Sequence, residues 1–589
     1  MKTHTALLHL VFSAVPCLAD PQLTSWHTAD SGQYARIYQN SADETSGTVS
    51  KTWSRGTGVQ STPTYAGVSK IVYSASWVYI RSTGLAGHIM GPWYLDAAKT
   101  TNFPNFPSNT AKIYRIPRTP TIPTTKSLTG LGASGCMVNG VSMFDMRDAF
   151  SYVSASSTDA TPINGLTGDG VWNRDGYHNE GITFDPGLAH QAGNNYHYHA
   201  QPIGLRYQLG DHVDYNATTN RYTESTAAVT KHSPILAWAA DGLPVYGPYG
   251  YSIPFNPNSG VRRMISGFVL RTGNYGTTNL TSTGRTSLPP WAQRIQTVTF
   301  KNGPAINTTY LLGHFIEDFD YLGDRGYTQG VDFDLNEQNV RWCVTPEYPA
   351  GTYAYFTTIN ADGTPAYPYT TGRQYYGNPT GGTSTIAETV TTYFNGGPNK
   401  IETAHAPTVN HTTGDVTLTW SAVEGGTYLV EASDDLAAWP DLTPTGTATD
   451  DLASVVEVGA KTAYSKRFYR VSKTSLASFD SNGFDYTPTG TGGGTTATAP
   501  GGTVTRGNTY TLTINIPTTS TPPVPPANVA VNSVTIGGLA TGISSLVHTS
   551  QYVVTCTYAV PAGTTTGPKN VVVNINNKVY TLTAGLTVN

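Results

Sequence analysis

Tyr196-His197-Tyr198-His199 alternates two residue types over four positions, and that alternation constrains the fold more than any other stretch of the chain. In an extended strand successive side chains leave opposite faces, so His197 and His199 share one face while Tyr196 and Tyr198 share the other. Histidines two apart on a strand are about 7 Å apart at Cα. Both imidazoles can then reach one ion at the ~2.0–2.1 Å typical of a zinc–nitrogen bond, given a third and fourth ligand from elsewhere in the fold.

Such ligands are present nearby. Of fourteen histidines, His178, His190, His197, His199, His212 and His232 fall between positions 178 and 232, with Glu180, Asp185, Asp211, Asp214 and Asp241 close in sequence. His190 and His178 read as loop residues able to complete a site, and Glu180 and Asp185 as carboxylate ligands or as acceptors that orient a ligating histidine. His232 stands before Ser233-Pro234 and the apolar run ILAWAA, from which it can point back into a cleft as a further ligand. Asp241-Gly242 followed by Pro244 reads as a tight turn in which the aspartate caps its own backbone. The functional version places Asp241 at the lip of the site, to bind metal or accept a proton. Tyr246, Tyr249 and Tyr251 read as packing residues that could also offer flat surfaces to a sugar. Two acidic groups, Asp318/Asp320/Asp324 and Asp332/Asp334, suggest structural calcium, though neither has EF-hand spacing.

Few stretches of the region 20–395 keep a helical period, and Gly, Pro and Asn recur as punctuation. The expectation is a mainly β fold with short helical turns around Asp145 to Ser151. Charged residues make up 12% of the chain, well below the ~25% of ordinary soluble domains, a profile of β-rich extracellular proteins. A net charge of −4 and a pI near 6.4 supply no basic field for phosphates, which disfavours nucleic acid as a partner.

The chain opens with Met1-Lys2, a largely apolar run from Ala6 to Ala14 and small residues before Asp20, the pattern of a cleaved leader over 1–19. Acylation at Cys17 is an alternative that Pro16 fits poorly. No later run approaches the ~18 apolar residues of a membrane span, so the expected location is secreted or at the cell surface. Removal of the leader leaves Cys136, Cys343 and Cys556. Cys136 and Cys343 could pair, whereas Cys556 lies on the apolar face of the alternating run QYVVTCTYAV and reads as a core residue.

At 589 residues the chain exceeds one core, and three or four domains are expected. The Gly/Thr-rich run within 475–502 reads as a linker between two small β-sandwiches, at 400–474 and 503–589. TYLVEASDDLAAW…KRFYRV resembles a fibronectin-type-III-like module, and the last domain resembles the immunoglobulin-like IPT/TIG fold. In the large domain, YHYH is followed by HSPILAWAADGLPVYGPYGY at 232–251 and DFDLNEQNVRWCVTPEYPAGTYAYFTT at 332–358. These three ordered blocks resemble the YHYH-domain family over about 130 to 370. The resemblance implies a shared fold and a shared site on His197, His199 and the Asp241-Gly242-Leu243-Pro244 turn. It supplies organisation rather than an activity, and Leu243 stands where the family usually has an aromatic residue.

No G-x-S-x-G elbow, Walker loop or strand-to-helix G-x-G-x-x-G occurs, so serine-hydrolase and nucleotide chemistry lack a basis. Three functions stay open. The first is an exported protein that binds copper or zinc through His197 and His199, with His190 and His232 as further ligands. The second is a metalloenzyme, a hydrolase or oxidase acting on an extracellular polymer, with Asp241 or Glu180 as base. The third is a non-catalytic surface module that binds glycans.

Overall fold

The computed structural model describes residues 20–485 and, apart from short intervals, 495–588; the expected leader and Cys17 lie outside the described residues. The architecture is mainly β, with helices of no more than six residues.

The YHYH segment sits near one edge of an eight-stranded mixed sheet. Its order is His190–Ala192, Asn195–Tyr198, Ser142–Phe144, Ala133–Met137, Ile235–Ala239, Pro244–Tyr246, Thr352–Phe356 and Val340–Cys343. His190 is paired in register with His197 across an antiparallel hairpin, and His197 with Ser142 in a parallel pair. A second sheet of five strands contains Val68–Tyr73, Trp77–Ser82 and Lys112–Pro117. One core draws on both sheets: Ile71, Val78, Ile80 and Ile116 cluster with Met137, Met143, Tyr196, Tyr198 and Trp238. Polar contacts fix their relative position, with Tyr114 Oη 2.6 Å from Ser142 Oγ and Lys112 Nζ donating to Asn195 Oδ1 at 2.6 Å. A separate aromatic core, with Trp172, Trp291, Phe315 and Tyr369, packs the long connections between positions 146 and 369.

Several expectations change here. Cys136 and Cys343 are free and buried. Their strands stand four places apart in the sheet, about 19 Å at the usual strand spacing, far beyond the ~7 Å limit for a disulfide. The helical turn expected at Asp145 to Ser151 is mostly strand, Arg147–Val153. Asp145 accepts a hydrogen bond from Arg147 N and Asp148 from Phe150 N, local bonds that draw the backbone away from a helix.

The paired acidic residues expected to bind calcium are mostly held by arginines. Asp318 receives both Nε and Nη2 of Arg285, each at 2.7 Å and fully buried. Asp320 meets Arg325, Asp324 meets Arg294 and Asp334 meets Arg262. These guanidinium groups supply positive charge beside the carboxylates, while, among the described residues, Asp320 Oδ2 makes no hydrogen bond and the Asp332 carboxylate accepts only from Thr328 N.

Residues 400–476 form a sandwich of two three-stranded sheets, with Trp420 edge-on to Tyr428 at its centre. The chain then returns to the large domain instead of entering a linker at 475. Phe479 and Phe484 pack edge-on against buried Tyr65, Asp480 accepts from Asn109, and Asp485 pairs with Lys70 and Arg81. The low-complexity sequence also contributes strands. Thr495–Ala499 pairs with Thr509–Asn515, and Gly502–Val504 with Lys578–Val588, so the last sandwich, of two four-stranded sheets, starts before position 503. Cys556 lies in its core opposite Leu512.

Candidate metal centre

The hairpin places three imidazoles on one face. His190 and His197 face each other across its two strands, and His199 follows Tyr198 on the same side as His197. All three are buried. His190 Nε2 lies 3.1 Å from His197 Nε2, which in turn lies 3.0 Å from His199 Nε2. Glu180, from the short helix Gly176–Glu180, brings Oε2 to 3.1 Å from His199 Nε2 and 3.6 Å from His190 Nε2.

Hydrogen bonding at the far side of each ring decides what those Nε2 atoms are. His197 Nδ1 bonds the Asn195 carbonyl at 3.0 Å and His199 Nδ1 the Asp145 carbonyl at 2.7 Å, so both Nδ1 atoms carry the proton. His190 Nδ1 bonds Thr183 Oγ1 at 2.7 Å, and the one proton of that hydroxyl is donated to the Glu180 carbonyl. Thr183 therefore accepts, and His190 is also protonated at Nδ1. With all three rings neutral, the Nε2 lone pairs thus turn toward one another, and His199 gains a donor to Glu180 there only on protonation. Nitrogens bound to one ion at ~2.0–2.1 Å, at angles between a right angle and tetrahedral, stand ~2.9–3.4 Å apart. The two separations from His197 fit that range, and the ligand atoms of all three rings lie within 4.8 Å of one another.

Electrostatics point the same way. Burial pushes His190 down to about 4, and burial reinforced by the neighbouring imidazoles holds His197 well below the ordinary histidine range. For His199 burial also opposes charge, but the Glu180 carboxylate outweighs it and raises the pKa. Glu180 is correspondingly lowered, its burial being outweighed by the bond to His199. His199 is therefore the imidazole that takes a proton most readily, and a cation bound at the same nitrogens would compete with it.

Packing locks the rings. Phe144 stacks on His197 at 3.9 Å between centroids, and Phe184 lies edge-on to His190 at 4.8 Å. Gly176 allows the close approach of its helix, since a Cβ there would stand 3.0 Å from His199 Nδ1.

The four polar groups lie at the base of a cavity of about 590 Å³ whose walls are mainly apolar. Asp148 also lines it. This aspartate pairs with Arg174 at 2.9 Å, and burial pushes its pKa up to about 7. Sequence reasoning missed Asp148, Thr183 and Phe144. Asp148 is one acid among many in the sequence, and the other two act through contacts that only the fold creates.

Other expected site residues lie elsewhere. Asp241 is fully buried at the turn between Ile235–Ala239 and Pro244–Tyr246, where it accepts from Leu243 N, Tyr355 Oη and Gly377 N. It caps a turn and does not reach the cavity. His232 packs edge-on to Tyr246 and Tyr251 and tilted against Phe356, with Nδ1 on the Ser233 carbonyl, because the strand it precedes lies three places from the YHYH strand. His178 lies beside His314. Asp185 is buried on the tyrosine side, accepting from Gly91 N, Gly187 N, Ala189 N and Tyr196 Oη.

Fold and site together define a mainly β protein with a buried three-histidine, one-carboxylate cluster beneath a cavity. Residues 113–369, which include the whole cluster, match the family described as YHYH protein. No curated protein matches the chain.

Proposed function

We propose that the chain is an exported protein that binds one transition-metal ion, copper or zinc, through His190, His197 and His199, with Glu180 as the fourth donor. The observation that carries this reading is the convergence of three Nε2 lone pairs within 3.1 Å steps, each ring anchored at Nδ1 by an oxygen. Neutral imidazoles oriented by such bonds are the usual donors to both ions, and by the Irving–Williams order copper binds the more tightly when both are available. Among the described residues this is the one place where three such donors meet.

Elemental analysis of the full chain, as purified and after loading with either ion, tests the proposal. One equivalent of metal is expected, and its loss in His197→Ala/His199→Ala with an unchanged circular-dichroism spectrum. No metal in either protein after loading refutes it. Export is tested separately by the N-terminus of the secreted protein, expected at Asp20.

The cavity favours a second reading, a metalloenzyme. A bound ion supplies Lewis acidity or, for copper, electron transfer. The chain itself supplies an enclosed space above the donors and, in Asp148, a carboxyl that titrates near neutrality at its wall. Glu180, expected as a base, serves better as a ligand because its oxygen faces two imidazoles.

A further inference from the structure

The cavity above the histidines is mainly apolar in its exposed surface, although Asn105, Arg147 and Asn179 also line it. Phe144 and Phe150 flank its floor, and Leu95, Leu131 and Ile163 form its rim from three separate segments. The rim residues are 46%, 61% and 96% exposed. Apolar side chains gathered at one mouth over an enclosed space mark a binding site more often than chance exposure does.

The charged residues of the wall are already engaged. Asp145 accepts from Thr129 Oγ1 and from Nε and Nη2 of Arg147, and Asp148 accepts from Phe150 N and forms an ion pair with Arg174. Glu180 differs: its side chain stays 26% exposed, and its Oε2 makes no hydrogen bond beyond its approach to the imidazoles. A sugar chain entering this space would leave water with few groups to replace its hydroxyl contacts, which is costly.

We propose that the cavity receives an apolar molecule bearing a ring or chain and a single lone-pair or anionic head, with the body against Phe144, Phe150, Leu131 and Ile163 and the head at the histidine pole. The position of the head rests on the metal-binding reading; the apolar body does not. A glycan chain is the occupant this proposal disfavours.

The test compares 4-phenylimidazole, imidazole and maltotriose by calorimetric titration of the full, zinc-loaded chain. The phenyl ring is expected to tighten binding about tenfold or more, the gain for burying one ring. Leu131→Ser/Ile163→Ser is expected to abolish that difference while zinc content and the affinity for imidazole stay unchanged. Equal affinity for the two imidazoles, or tighter binding of maltotriose, overturns the proposal.

If elemental analysis finds no bound metal, the metal reading fails alone. The apolar site is then read from the fluorescence of 2-naphthol added to the metal-free chain. An emission change lost in Leu131→Ser/Ile163→Ser upholds it, and no change overturns it.

Discussion

The two faces of the Asn195–Tyr198 hairpin strand carry polar side chains buried to a similar degree, yet they are completed in opposite ways. On the tyrosine face both hydroxyls of the strand end on partners, although the neighbouring Gln191 Oε1 makes no hydrogen bond among the described residues. Tyr196 donates to Asp185, which gathers three backbone amides as well, and Tyr198 Oη meets His88 Nε2 at 3.0 Å. On the histidine face the outer nitrogens are satisfied while the inner ones point at one another. Buried polar groups are costly unless paired, so the first face has the properties of scaffold, and the second is the one on which the proposed metal site rests. Alternation alone assigns residues to faces; the completeness of hydrogen bonding distinguishes what the faces do.

The strongest way to break this contrast is His190→Ala. It removes a donor contributed by the neighbouring strand while leaving His197 and His199 in place. Metal affinity is expected to fall more than ~100-fold, above the range for lost supporting contacts, as measured by competition with a chromophoric chelator. An unchanged affinity would show that His190 is packing. Next in size is Thr183→Val, which keeps the shape but frees His190 Nδ1 from its only oxygen acceptor. Loss of such an orienting bond costs ~10–100-fold in metal affinity. The same titration applies, and full retention would refute the tautomer assignment.

The tyrosine face should respond in the opposite currency. Tyr196→Phe removes one of four donors to buried Asp185, and is expected to cost about 1–2 kcal/mol of folding stability in urea with metal binding unchanged. A loss of metal with no loss of stability would reverse the roles given to the two faces.

How much of this the sequence disclosed depended on the range of the interaction. The split of YHYH into two faces is local and follows from strand geometry. His190 is seven residues from His197, within one hairpin, and its candidacy was legible for that reason. Glu180 is brought in by a short helix whose approach requires Gly176, and the sequence offered it only as one acid among several. Asp241 and His232 show the reverse error. Both belong to blocks shared with the family, but their turn and strand lie farther along the sheet, and proximity in sequence does not survive the intervening strands. Asp148 was invisible because its raised pKa arises from burial, which the fold alone supplies.

His232 sharpens the contrast further, being a mostly buried histidine without imidazole neighbours. Burial, its largest influence, lowers its pKa from 6.5 to about 4, partly offset by the bond to the Ser233 carbonyl. Above pH 6.5 the folded and unfolded chains both hold it neutral, and its contribution to stability is fully present. As pH falls from 6.5 toward 4 the unfolded chain takes up a proton that the folded chain refuses, so stability declines across that window. The decline attributable to this residue between pH 7 and 5 is about 1–2 kcal/mol. His232→Phe places another ring against Tyr246, Tyr251 and Phe356 and removes the titrating group. Urea midpoints at the two pH values are expected to lie closer together in the variant, with metal content unchanged. An undiminished acid dependence would assign the loss to other groups, whereas a loss of metal would return His232 to the ligand set from which its place in the sheet removes it.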